Sequence, residues 1–189
     1  MITFYLHWGN TRTLSNKNTA YFKDVCDGRS KKIKILCVYF AREHHEWEKL
    51  FQLDTSYFTL SNPEKNISFV VAKNNRQSFL AQIQSSDIIF IKWGNTQWLI
   101  DCFQDIPDLK KYLDGKIIAW SSAWALVFSK YFYENDKDTY LEWLSWFPVK
   151  MICHYDEKNI EALEILKNYK IKNMEIWKIP EQEYIIKKL

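Results

Sequence analysis

Residues 117–127, "IIAWSSAWALV", carry an apolar strand-like run into two serines and out into an apolar helix-like run. A serine on such a turn can attack a carbonyl if a base takes its proton, an acid orients that base, and amide donors hold the oxyanion. Ser122 is the candidate nucleophile, central in the elbow Trp120-Ser121-Ser122-Ala123-Trp124. In elbows of the G-x-S-x-G type, glycines two residues before and after the serine let strand and helix approach closely. A helix starting there aims its first amides and positive dipole end at the oxyanion. His154, in "MICHYDE", follows another strand-like run and is the candidate base, on a strand expected in the same sheet. Asp136 and Asp138 in "ENDKD", and Glu181 in "KIPEQEY", are candidate acids. Taken alone, a Ser-Ser pair is also an ordinary helix cap, so the case rests on the combination.

These residues need a scaffold that gathers strand ends. Strand-like runs occur at Ile2–His7, Ile33–Phe40, Ile67–Ala72, Asp87–Lys92, Lys116–Ala119, Val149–Cys153, Met174–Ile179 and Tyr184–Ile186. Between several of them lie segments with apolar residues three and four apart: "HHEWEKLFQLDTSYF", "NRQSFLAQIQ", "TQWLIDCF" and "EKNIEALEILKNY". Such alternation, with unbroken apolar runs like "DIIFIK", predicts an α/β fold with a mostly parallel, doubly wound sheet buried on both faces. The tetrapeptide "WGNT" occurs at Trp8–Thr11 and again at Trp93–Thr96, each directly after a strand. In parallel sheets the carboxyl ends of strands form the ligand crevice, so both turns and the serine turn are expected along one rim. Each turn is equally readable as a helix cap through Asn10 or Asn95.

Bulk properties narrow the class. The 189 residues, 47% hydrophobic and 17% aromatic, suffice for one sizeable core, and a single domain over 1–189 is expected. A net charge of +3 with interspersed signs argues against nucleic acid as a partner. No apolar run approaches the ~20 residues of a membrane span, and the start "MITFYLHWGN" reads as a strand rather than a signal peptide. Cys26, Cys37, Cys102 and Cys153 form no C-x-x-C pair, which argues against zinc or a disulfide frame and fits a reducing, cytoplasmic setting. "HHEWEK" lacks the second histidine of a zinc-protease helix.

Taken together, the motifs resemble those of the peptidase E (alpha-aspartyl dipeptidase) family, serine peptidases with a class-I-glutamine-amidotransferase-like fold. The likeness runs from "YLHWGNTR" to "IPEQEYII". The family's "GGNT" turn is matched by Trp93-Gly94-Asn95-Thr96, and its G-x-S-A-G elbow by Trp120–Trp124. Its "GLGxLP" segment is matched by "WLSWFP", its histidine motif by Cys153-His154-Tyr155, and its "PEG" turn by Pro180-Glu181-Gln182. The resemblance implies a flavodoxin-like three-layer sandwich with Ser122 as nucleophile and His154 as base. It further implies an oxyanion held by the amides of Ala123 and Gly94 beside Asn95, with neither metal nor cofactor. Asp136 and Glu181 compete for the orienting acid, with Glu183 a weaker third. Short peptides, including those with N-terminal aspartate, are the implied substrates; Arg12 is a cation placed to meet them. A monomer or homodimer is equally compatible. A cysteine-nucleophile amidotransferase is disfavoured because the elbow carries Ser122.

Departures from the family pattern share one form. Trp8, Trp93, Trp120, Trp124 and Trp143 stand where the family has glycine. The chain holds 4 glycines and 9 tryptophans, against roughly 13 glycines at average usage. One cause would produce this: UGA codons that mean glycine, read as tryptophan. The alternative is a pseudoenzyme or binding module whose site has been filled, at the overpacking cost of about 1–3 kcal/mol per position. Trp47 lies inside a helical segment and is read as genuine, while Trp98 and Trp177 are open.

Overall fold

The computed structural model describes residues 1–11, 13, 15–104, 106–121, 128–134, 138–142, 145–153, 155 and 157–189. Five parallel strands make up all but one edge of the larger sheet: β1 (Thr3–His7), β2 (Lys32–Val38), β3 (Asn66–Val71), β4 (Ile88–Lys92) and β5 (Ile117–Ser121). A late strand, β10 (Tyr184–Lys188), joins its edge antiparallel to β1. The spatial order is β10-β1-β5-β4-β2-β3.

Side-chain alternation on these strands builds two cores. On β5, Ile118 and Trp120 enter one apolar cluster, whereas Ile117 and Ala119 enter the other. The second face is covered by α1 (Asn16–Cys26) and α2 (Trp47–Ser61), through Tyr21, Phe22, Val25, Leu50 and Phe58. The first is covered by α3 (Arg76–Gln84), α4 (Thr96–Gln104) and α5 (Leu109–Leu113), through Phe79, Ile83, Leu99, Phe103 and Leu109. This is the expected three-layer α/β sandwich. With α1 and α2 on one face and α3 and α4 on the other, the loops after β1 and β2 leave one way and those after β3 and β4 the other, an arrangement that opens a crevice at the strands' carboxyl ends.

Two strands were not expected. β6 (Ser129–Glu134) and β7 (Thr139–Glu142) pair antiparallel, and together with β8 (Phe147–Cys153) and β9 (Ile176–Ile179) they form a separate four-stranded sheet, β7-β6-β8-β9. The run leading to His154 therefore belongs to this second sheet, not to the sheet of β5 as its sequence suggested. The reason is edge occupancy: β1 already has β5 and β10 as neighbours, so β8 pairs with β6 and β9 instead. Phe132, Phe147, Val149, Met151 and Trp177 of the second sheet share the larger core with Phe4 and Trp120. The last helix, α6 (Ile160–Asn168), packs Leu163 and Leu166 against Tyr133 and Ile152 on the other side of that sheet. At the far edge of the large sheet, Gln82 of α3 covers β3: its side chain meets the Val71 carbonyl and the Lys73 amide, both at 2.9 Å. That contact blunts an edge otherwise open to strand addition.

Candidate active site

β5 lies between β1 and β4, so its carboxyl end falls between the two Trp-Gly-Asn-Thr turns. In register, His7, Ser121 and Lys92 form one row across β1, β5 and β4, immediately below the turns. Ser122 continues the chain from Ser121. Ser122, Ala123 and Trp124, like Arg12, Asp136, Trp143 and His154, lie outside the described residues.

The two turns use their glycines for different reasons. Gly9 has φ +71, a backbone that L side chains avoid, and a β-carbon there would lie 2.0 Å from Glu181 Oε1. Gly94 is held by contact instead: a β-carbon would lie 1.8 Å from the Ala41 carbonyl oxygen, and the next amide, Asn95 N–H, donates to that oxygen at 2.6 Å. Their asparagines also differ. Asn95 Oδ1 accepts from Trp98 N at 3.3 Å and caps α4, as its motif suggested. Asn10 does not cap α1; that role falls to Ser15, which accepts from Asn18 N at 3.2 Å.

Glu181 reaches this rim from the second sheet. Cys153 pairs with Ile179, so the chain leaves β8 and β9 side by side, toward residue 154 on one strand and Pro180-Glu181 on the other. Gln182 N–H then donates to the Trp8 carbonyl at 2.6 Å, and Trp8 N–H to Glu183 O at 2.9 Å. This lays the Glu181 carboxylate over Gly9. Glu183 is turned outward, in an exposed ion pair with Lys17 at 3.0 Å. Asp138, in the segment that offered Asp136, accepts from Tyr133 OH at 2.8 Å.

Beneath the rim lies a buried polar layer that the motif reading passed over. His7 Nε2 lies 2.9 Å from Asn18 Oδ1. The Asn18 amide nitrogen already donates to Asn10 O and Thr13 O, so its oxygen faces the imidazole and Nε2 must carry the proton. Nδ1 is then a bare acceptor, and neither it nor Ser121 Oγ has a hydrogen-bond partner among the described residues. Burial pushes the His7 pKa down to about 4, with the Lys92 charge adding to it and Asn18 opposing. Lys92 is itself buried, 2.5 Å from Asp54 Oδ1, and Tyr39 OH donates to Asp54 Oδ2 at 3.1 Å. A signal was present: "LHWGN" and "IKWGN" each place a polar residue at the end of an apolar strand.

The tryptophans separate into two kinds. Trp8 and Trp120 are fully buried in the larger core, Trp120 edge-on to Phe128 at 4.9 Å, and neither indole N–H has an acceptor among the described residues. Trp47 donates to Arg42 O at 3.0 Å and Trp177 to Glu175 Oε1 at 2.6 Å. Trp93 is half-exposed beneath the Arg42 guanidinium, 5.6 Å from its ring centroid. Trp8, Trp93 and Trp120 are absent from the residues of left-handed backbone, so strain of that kind does not attach to them.

No family model and no curated protein matches the chain. Its fold is similar to that of a peptidase from an acI-B1 Actinobacterium: TM-score 0.63 and 14% identity, over 98% of this chain and 82% of that one. It is equally similar to a protein of Listeria monocytogenes EGD-e that carries the peptidase E designation: TM-score 0.63 and 16% identity, over 100% of this chain and 99% of that one. At such identities the likeness is one of fold, and it extends over nearly the whole chain.

Proposed function

We propose that the chain is a serine hydrolase of short peptides, built as one domain, with Ser122 attacking, His154 accepting its proton and the Gly94 and Ala123 amides receiving the oxyanion. The observation that carries this reading is the Glu181 carboxylate lying over Gly9 at the carboxyl end of β1. It ties the turn after β9, beside which residue 154 leaves β8, to the rim at which Ser122 leaves β5. For the same reason Glu181 is favoured over Asp136 as the group that orients His154. The fold shared with two structures named as peptidases points the same way.

Tryptophan at the glycine positions of the elbow is the objection to activity, and the buried indoles bear on it. Buried tryptophans normally find an acceptor for their N–H. Trp47 and Trp177 do, whereas Trp8 and Trp120, both at positions where the resemblance has glycine, find none among the described residues. This favours recoded glycine codons over a site remodelled around tryptophan. Reading the gene tests it: TGA at 8, 93, 120 and 124 supports recoding, and TGG at all four ends the idea. The hydrolase reading is tested by fluorophosphonate labelling of the chain as written and of a version with glycine at those four positions. Labelling that disappears in Ser122→Ala and weakens in His154→Gln is expected, at least in the glycine version. No labelling of either version would leave a binding module on this fold, the reading that Trp93 at the crevice rim would then favour.

A further inference from the structure

One side chain joins the two Trp-Gly-Asn-Thr turns. Lys92 is the last residue of β4, directly before the second turn. Its ammonium lies under the first turn, with Nζ 3.2 Å from Thr11 Oγ1 and 2.5 Å from Asp54 Oδ1. The three side chains are almost completely buried: residue exposures are 3% for Lys92 and Thr11 and 0% for Asp54. Asp54 belongs to α2 and also accepts from Tyr39, the residue that follows β2. Thus β4, the β1 turn and α2 meet at a single ammonium, and the end of β2 joins them through Asp54.

The charges decide what such a group can do. With a carboxylate 2.5 Å away, the ammonium presents a dipole rather than a free charge to the rim, and its pull on a developing oxyanion is correspondingly small. What remains is mechanical. The second turn is braced from the side by Ala41, whose carbonyl meets Gly94 and accepts from Asn95 N–H. Lys92 braces it from below and fastens it to the first turn. We propose that Lys92 is a positioning residue, with Asp54 as counter-ion and Thr11 as second anchor, that fixes the two turns relative to each other. It thereby holds the Gly94 amide where the oxyanion of the hydrolysis proposed above forms, and to that extent it rests on that reading. The proposal also gives the repeated tetrapeptide a cause: the first copy's threonine is the docking point for the residue preceding the second copy.

Thr11→Val keeps the side-chain shape and the Lys92–Asp54 pair but removes the hydroxyl, and Thr11→Ser restores it. The backbone amide spectrum and the turnover of an activated ester are read on the parent, whichever version is labelled by fluorophosphonate, and on both variants. Thr11→Val is expected to shift the amides of residues 93–95 as well as those of 9–13. It should also lower kcat about 10- to 100-fold with KM nearly unchanged, the effect of a displaced oxyanion donor. Thr11→Ser should return both readouts toward the parent. Shifts confined to residues 9–13 would overturn the coupling, and unchanged kcat would overturn the positioning role. If the parent is neither labelled nor active, the hydrolase reading fails, while the amide spectrum still decides whether the turns are joined. Should Thr11→Val not fold, Thr11→Ala carries the same two readouts.

Discussion

The buried imidazole of His7 makes a quantitative claim about acid stability. Its pKa of about 4, against 6.5 for an unburied histidine, means that the folded chain resists a proton the unfolded chain accepts. Stability from this group is fully present above pH 6.5 and is lost as the pH falls through the window down to about 4; below it both states are protonated and the loss stops. A gap of about 2.5 units at 1.36 kcal/mol each sets a ceiling of about 3 kcal/mol, with about 2 kcal/mol gone by roughly pH 5. The cause is local. Nε2 is committed to Asn18, Nδ1 faces no acceptor among the described residues, and the Lys92 ammonium stands in the same register row, one strand beyond Ser121.

His7→Gln isolates the effect, because the glutamine amide can still donate to Asn18 Oδ1 but does not titrate. Urea unfolding of parent and variant at about pH 7.5, 5.5 and 4.5 gives the comparison, since the carboxylates common to both cancel in the difference. The parent is expected to lose about 2–3 kcal/mol more than His7→Gln across that range. Equal losses would refute the reasoning, because they would mean that His7 is protonated in the fold as readily as in the unfolded chain.

Lys92→Met leaves Asp54 buried without its lysine and should cost about 3–5 kcal/mol in urea unfolding, part of which returns when Asp54→Leu is added; strictly additive losses would show that the pair is uncoupled. Gly94→Ala drives a β-carbon against the Ala41 carbonyl, 1.8 Å away, so a loss of about 1–3 kcal/mol is expected; a variant as stable as the parent would show that the turn is not braced there. If Glu181 orients His154, Glu181→Gln should lower ester kcat far more than Asp136→Asn, and the reverse order would return the role to Asp136. Trp120→Gly and Trp177→Gly each remove a large core side chain worth about 3–5 kcal/mol, but the first also removes an N–H with no acceptor among the described residues, a group that costs about 1–3 kcal/mol when buried unpaired. Trp120→Gly should therefore be the milder change, although Trp120 is the more deeply buried, and the opposite ranking in urea unfolding would sink the distinction between the two indoles.

Much of the fold was legible because buried parallel strands announce themselves: "KILCV" and "DIIFIK" have no other economical reading. The segment at β6 and β7 escaped for a physical reason. "KYFYE" and "TYLE" mix charge with aromatics on strands whose tyrosines pack on one another and on Tyr169, and such half-polar runs carry no clean period. Helix α1 escaped similarly, since its buried Asn18 breaks the apolar stripe. At the site, the glycine turns and Glu181 were readable as motifs because backbone demands are local. The polar row of His7, Ser121 and Lys92 was not, because it exists only once β1, β5 and β4 are set side by side.

The glycines that remain and the tryptophans beside them answer to different constraints. At 9 and 94 nothing larger fits: one position has left-handed backbone under a carboxylate, the other abuts a carbonyl oxygen. At 8, 93 and 120 the backbone is of a kind any residue adopts, and the side chains there point into core or toward solvent. The sandwich can therefore close around tryptophan at those three positions without loss of its turns, paying instead in two indole N–H groups that meet no acceptor among the described residues. Fold and chemistry are separable in this chain. The strand order and the two turns rest on backbone pairing and on Gly9 and Gly94, whereas the packing beside Ser121, where Trp120 meets Phe128 edge-on, changes with the residue at 120.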